Sequence, residues 1–226
     1  MSATFTCVVY LAIVISSFQV QMNNLPGFRA AIVGHSHVPT SLEIDDDTVQ
    51  LDLYRAPGAK AHSFFHDERL NLVLQHKYDL VVLWIGSNDI KENSSVKDLA
   101  GKIKQIVQAL EESCEAEVRT CMIEPRKPGL VGRFRVEEET YRKVAKAVNR
   151  KLQNKDLKGK RFVDFGAKPF WDSLGWDGVH FNRQGREHVN KKLANCVREA
   201  YLDKRQTEAL GRPFRISSSA RWNTFQ

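Results

Sequence analysis

The chain has 226 residues, which suits one domain with tails rather than two full domains. Its 42% hydrophobic residues supply enough apolar surface for a packed core and exclude whole-chain disorder, collagen and coiled coil. Four cysteines (Cys7, Cys114, Cys121, Cys196) with no CxxC pair exclude a disulfide scaffold and a zinc finger, and the formal net charge is 34 − 27 = +7.

Residues 7–18 (CVVYLAIVISSF) form an apolar run of signal-peptide length, too short to span a bilayer. The preceding MSATFT carries no Lys or Arg. Residues 1–27 are therefore read as a signal peptide or an unstructured leader, which leaves the compartment open between secreted and cytoplasmic. From residue 28 onward, short apolar runs alternate with segments of helical period, the pattern of βα units around a parallel sheet. Strands are expected at 28–34, 49–54, 80–85, 118–123 and 161–165. The third (LVVLWI) is apolar at every position, as a central strand covered on both faces requires.

Val96, Leu99, Ile103, Ile106, Val107 and Leu110 recur at three- and four-residue steps and predict a helix over about 95–113. Tyr141, Val144, Ala145, Val148 and Leu152 repeat the pattern. A last helix carries Val189, Leu193, Cys196, Val197 and Ala200 on one face, with Asn182 as N-cap. The expected architecture is a three-layer α/β/α sandwich on a parallel sheet of about five strands, spanning residues 28–203. Residues 204–226 carry Lys204, Arg205, Arg212, Arg215 and Arg221 against Glu208, and are read as a disordered basic tail able to touch nucleic acid.

In such sheets ligands bind beyond the carboxyl ends of the strands. Gly34-His35-Ser36-His37 follows the first strand, Pro57-Gly58-Ala59 the second, and Gly86-Ser87-Asn88-Asp89 the third. Ser36 alone would be read as a helix cap. Asp177-Gly178-Val179-His180 changes that reading, because its spacing lets the carboxylate accept from Nδ1–H and leaves Nε2 free as a base.

With these residues together, the sequence resembles the SGNH hydrolases, or GDSL-type esterases, over roughly residues 28–202. Ser36 matches the family's nucleophile, Gly58 its second-block glycine, Asn88 its third-block asparagine, and Asp177 with His180 its Asp-x-x-His. The resemblance implies a flavodoxin-like fold and a serine esterase working through an acyl-enzyme on a small-molecule ester, with no metal or organic cofactor. It also implies an oxyanion hole made by the backbone N–H groups of Ser36 and Gly58 and the side-chain amide of Asn88. His35 departs from the family's usual Asp before the serine, which alters the hydrogen bonding of that loop.

The short layout is also similar to esterase-like domains that accompany some LINE-type retrotransposons. The alternative is thus a non-catalytic module of the same fold that binds nucleic acid or protein. His35-x-His37 and His62-x-x-x-His66 are two histidine pairs without a third ligand, and the first pair is expected to flank the nucleophile as pocket or surface residues. Phe170, Trp171, Trp176 and Phe181 surround the Asp-x-x-His segment and are candidates for a substrate wall or for core packing.

Overall fold

The structure, a computed structural model, describes residues 27–127, 136–153, 161–166 and 172–211. The expected leader and the end of the basic tail lie outside the described residues, as do Phe170 and Trp171. Five strands, β1 (Phe28–Gly34), β2 (Val49–Arg55), β3 (Leu80–Trp84), β4 (Glu117–Cys121) and β5 (Phe162–Val163), form one sheet in the order β2-β1-β3-β4-β5. Every pairing is parallel. This is the flavodoxin-like order, which reverses direction at β1 and opens a crevice between β1 and β3 at their carboxyl ends.

Side-chain alternation along the strands builds two cores. Val81 and Leu83 of β3 join Ala31 and Val33 of β1 on one face, beneath α2 (Val96–Cys114) and α3 (Glu138–Gln153). Leu80, Val82 and Trp84 join Phe28, Ala30 and Ile32 on the other face, beneath α4 (Arg183–Ala209). The two cores on opposite sides of one sheet are the three layers expected from the sequence. At ~1.5–3 kcal/mol for each fully buried large aliphatic side chain, these faces carry much of the driving force for folding. Cys114, Cys121 and Cys196 are free and buried, and burial pushes the Cys196 and Cys114 thiols up to about 11.

Caps fix the helix starts: Ser95 accepts from the Asp98 N–H ahead of α2, and Asn182 from the Gly185 N–H ahead of α4. Between β2 and β3 the chain makes short helical turns rather than one long helix, including Ala61–His66 and α1 (Glu68–Asn71). They contribute Phe64 and Leu70 to the first core.

At the other end, α4 runs past the domain boundary expected at 203. Lys204 pairs with Asp79 at 2.7 Å and its ammonium lies over the Phe28 ring, while Arg205 donates to the Tyr201 hydroxyl. These two charges, read from sequence as tail, are thus part of the folded body. No helix among the described residues is long and apolar enough to cross a membrane.

Candidate active site

Each polar segment singled out in the sequence stands at the carboxyl edge of the sheet or in the loop that faces it. Ser36 follows β1, and His180 lies 144 residues further on, yet Ser36 Oγ and His180 Nε2 are 3.2 Å apart. On the far side of the imidazole, Nδ1 is 2.6 Å from Asp177 Oδ2. The other oxygen, Oδ1, accepts the backbone N–H groups of Val179 and His180 at 3.0 and 2.9 Å. One carboxylate therefore shapes the turn and orients the ring. Gly178 sits in this turn at φ 67°, where a Cβ would lie 2.4 Å from the Lys127 carbonyl oxygen, so the turn fits against the segment after β4 only without a side chain.

Further polar groups stand on the loops after β2 and β3. Gly58 follows β2 with φ 81°, and among the described residues neither its N–H nor that of Ser36 has a recorded acceptor. Asn88 follows β3; its Nδ2 donates to the Ala59 carbonyl at 2.9 Å and its Oδ1 accepts from Arg126 Nη2 at 2.9 Å. Asp89 ties the second and third segments together by accepting the Ala61 N–H at 2.7 Å, with His62 Nδ1 at 3.3 Å. A hydroxyl, a base held by a carboxylate, and N–H donors on adjacent loops are the parts that acyl transfer needs.

The family model described as GDSL-like lipase/acylhydrolase matches residues 8–193. The chain belongs to this family. None of the curated proteins compared matches it. Among solved structures, a carbohydrate esterase family 3 protein from Talaromyces cellulolyticus superposes with a TM-score of 0.58 at 16% identity, over 78% of this chain and 99% of that one. Est24, a carbohydrate acetylesterase from Sinorhizobium meliloti, gives 0.57 at 14% identity, over 76% and 99%. A Bacillus subtilis protein gives 0.55 at 16% identity; the match covers 76% of this chain and 56% of that longer chain. At such identities the likeness shows the fold, and the family match supports a hydrolase acting on esters.

This GDSL-like hydrolase differs from the sequence expectation around Ser36. His35 and His37, expected as pocket or surface residues, are buried, and so are Glu124 and Arg126 beyond β4. His35 Nδ1 accepts the His37 N–H at 3.4 Å, which leaves Nε2 to donate to Ser87 Oγ at 3.1 Å. Arg126 Nη2 also donates to Ser87 Oγ, at 2.7 Å. Glu124 accepts from Trp84 Nε1 at 3.1 Å and has His37 Nδ1 3.1 Å away, at an angle short of a hydrogen bond. The reason for the difference is the carboxylate: it makes burial of two imidazoles and a guanidinium tolerable, and it comes from the segment after β4, far away in sequence. Donor atoms of His35, His37 and Glu124 lie within 4.8 Å of one another. The Arg126 guanidinium stands 3.7 Å from Glu124 Oε1 and places a positive charge beside the carboxylate of this cluster.

Burial pulls the His35 pKa down to about 3, against the opposing pull of Glu124. Burial acts to raise the Glu124 pKa, but His37, His35 and Arg126 outweigh it and hold the carboxyl below its usual range. Both shifts have the same sign for folding: the unfolded chain binds protons that the folded one refuses, so stability falls on acidification. The His35 contribution is complete above about pH 6.5 and is lost progressively towards pH 3; Glu124 adds a further loss below about pH 4.5. Unfolding free energies from urea titrations are expected to drop between pH 7 and 5 by on the order of 1–2 kcal/mol, and His35→Gln is expected to flatten that slope. Equal slopes in the two proteins would contradict a neutral, buried His35.

The aromatic candidates separate. Phe181 is buried against Trp84 and His37, whereas Trp176 is 83% exposed beside Asp177. Sequence reasoning missed Glu124 and Arg126. The signal was available, since Glu124-Pro125-Arg126 ends an apolar run as abruptly as the other three segments do.

Proposed function

We propose that this protein hydrolyses carboxylic esters through a covalent acyl-enzyme on Ser36. The observation that carries the reading is the continuous line from Ser36 Oγ to His180 Nε2 and from His180 Nδ1 to Asp177 Oδ2, at 3.2 and 2.6 Å. As Oγ attacks the acyl carbon, its proton passes to Nε2, and the carbonyl electrons move onto oxygen. That oxyanion is met by the Ser36 and Gly58 N–H groups and Asn88 Nδ2–H. Collapse breaks the ester C–O bond, and the departing alkoxide takes the proton back from His180. Water then repeats the sequence on the acyl-serine and releases the acid.

Asp177 is suited to its part. Partial burial acts to raise its pKa, but the bonds from the His180 ring and from the Val179 and His180 N–H groups bring it down to about 2. The carboxylate is therefore ionised wherever the imidazole can act as base. Asp177→Asn is expected to lower kcat by about 10²–10⁴-fold with little change in KM, because the ring loses its tautomer lock. A loss under tenfold in steady-state assays would remove Asp177 from this role.

The reacting groups sit at an open rim: the His180 side chain is 54% exposed, and the Trp176 ring stands in solvent beside Asp177. Such a rim suits an ester whose alcohol half stays at the surface, such as an acylated sugar resting a ring face on Trp176. The carbohydrate esterase and acetylesterase among the structural neighbours support the same substrate class. The test is fluorophosphonate treatment of the full chain followed by peptide mass spectrometry. A single phosphonylated residue at Ser36 is expected; modification of a different serine, or none, would overturn the reading.

A further inference from the structure

We propose that Arg126 is a positioning residue that holds the Asn88 amide with its NH₂ end towards the oxyanion. The proposal deepens the ester-hydrolase reading above and rests on it. An asparagine side chain is nearly symmetrical in shape, so its two ends exchange by a half-turn unless the neighbours discriminate between them. Here both neighbours do. Arg126 can only donate, and its Nη2 lies 2.9 Å from Asn88 Oδ1. The Ala59 carbonyl can only accept, and it lies 2.9 Å from Asn88 Nδ2. A flipped amide would lose both bonds, set NH₂ against a guanidinium and set one carbonyl oxygen against another. It would also present lone pairs where negative charge develops in acyl transfer, turning a stabilising group into a repulsive one.

The arginine does more than a neutral donor could. A cationic donor on Oδ1 draws electron density through the amide and makes the remaining Nδ2–H a stronger donor. The guanidinium is itself fixed from below. Its Nη2 bonds Ser87 Oγ at 2.7 Å and stands 3.7 Å from Glu124 Oε1, whose partner oxygen is held by the Trp84 indole. The same segment after β4 grips the other half of the site, because the Lys127 N–H donates to the Gly178 carbonyl at 2.7 Å, inside the Asp177–His180 turn. Residues 124–127 thus connect the amide that meets the oxyanion to the turn that carries the base, and Arg126 is the member that sets the amide's direction.

The experiment combines kinetics with a readout independent of turnover. With p-nitrophenyl acetate, Arg126→Ala is expected to lower kcat by about 10–10²-fold at nearly constant KM, and Arg126→Lys, which keeps one cationic donor, to recover part of the loss. In an Asn88→Ala background the Arg126→Ala change is expected to cost less than about twofold, because its target is gone. Full multiplicative losses in the double variant would overturn the proposal. The Asn88 side-chain NH₂ pair is identified in a ¹⁵N spectrum by its disappearance in Asn88→Ala. Its two proton shifts are expected to be well separated in the wild type and to draw together in Arg126→Lys and Arg126→Ala; an unchanged pair would likewise overturn the proposal. Should the wild type fail to turn over the ester, the hydrolase reading fails, and the amide spectrum alone still decides whether Arg126 orients Asn88.

Discussion

Ser36→Ala is expected to reduce ester turnover by about 10⁶-fold, to a rate near that of the remaining binding groups alone. The loss is this large because the variant has no atom to carry the acyl group, so His180 and the donors have nothing to assist. The fold should survive: Ser36 Oγ has His180 Nε2 as its partner, and the Ser36 carbonyl keeps its bond from Arg55 Nε at 3.1 Å. Unfolding free energies of the two proteins are therefore expected to agree to within about 0.5 kcal/mol. Turnover surviving at more than about a hundredth of the wild-type rate would place the nucleophile elsewhere.

Glu124→Ala is expected to be the most destabilising of the single changes considered, at about 3–5 kcal/mol. Glu124 is fully buried, and removing it leaves the Trp84 indole N–H without its acceptor and His37 and Arg126 without their facing charge. In a protein of this size the loss corresponds to a drop of roughly 10 °C in Tm. Glu124→Gln keeps the volume and one acceptor and should fall between the two. A Tm unchanged in Glu124→Ala would show that the network contributes nothing to holding the edge of the sheet together.

The parts legible in the sequence were those that local chemistry dictates. Strand β3 announces itself because a central parallel strand needs apolar residues on both faces, and Val81 with Leu83 and Val82 with Trp84 do face opposite cores. Helices α2, α3 and α4 announce themselves by their stripes, and Asn182 caps the last as expected. Ser36, Gly58, Asn88, Asp177 and His180 could be marked because each follows a strand or precedes a helix at a fixed place in a known order. What the sequence hid depends on distant partners. Nothing near His35 or His37 says that they are buried, since the carboxylate that permits it follows β4. Arg126 reads as a loop residue after a proline until β3 and β4 are set side by side and its guanidinium is seen to reach Ser87 and Asn88. Lys204 is a related case: it is a tail charge by composition, yet it lies in α4 with Asp79 opposite.

The central claim, that ester hydrolysis runs through Ser36 as an acyl-serine, is tested most directly by catching the intermediate. The full chain is mixed with p-nitrophenyl acetate, quenched in acid within the first turnover, and digested for mass spectrometry. An acetyl group is expected on the peptide containing Ser36, formed as nitrophenol is released and absent from Ser36→Ala. Rapid release of nitrophenol from a protein whose Ser36 never carries the acetyl group would contradict it.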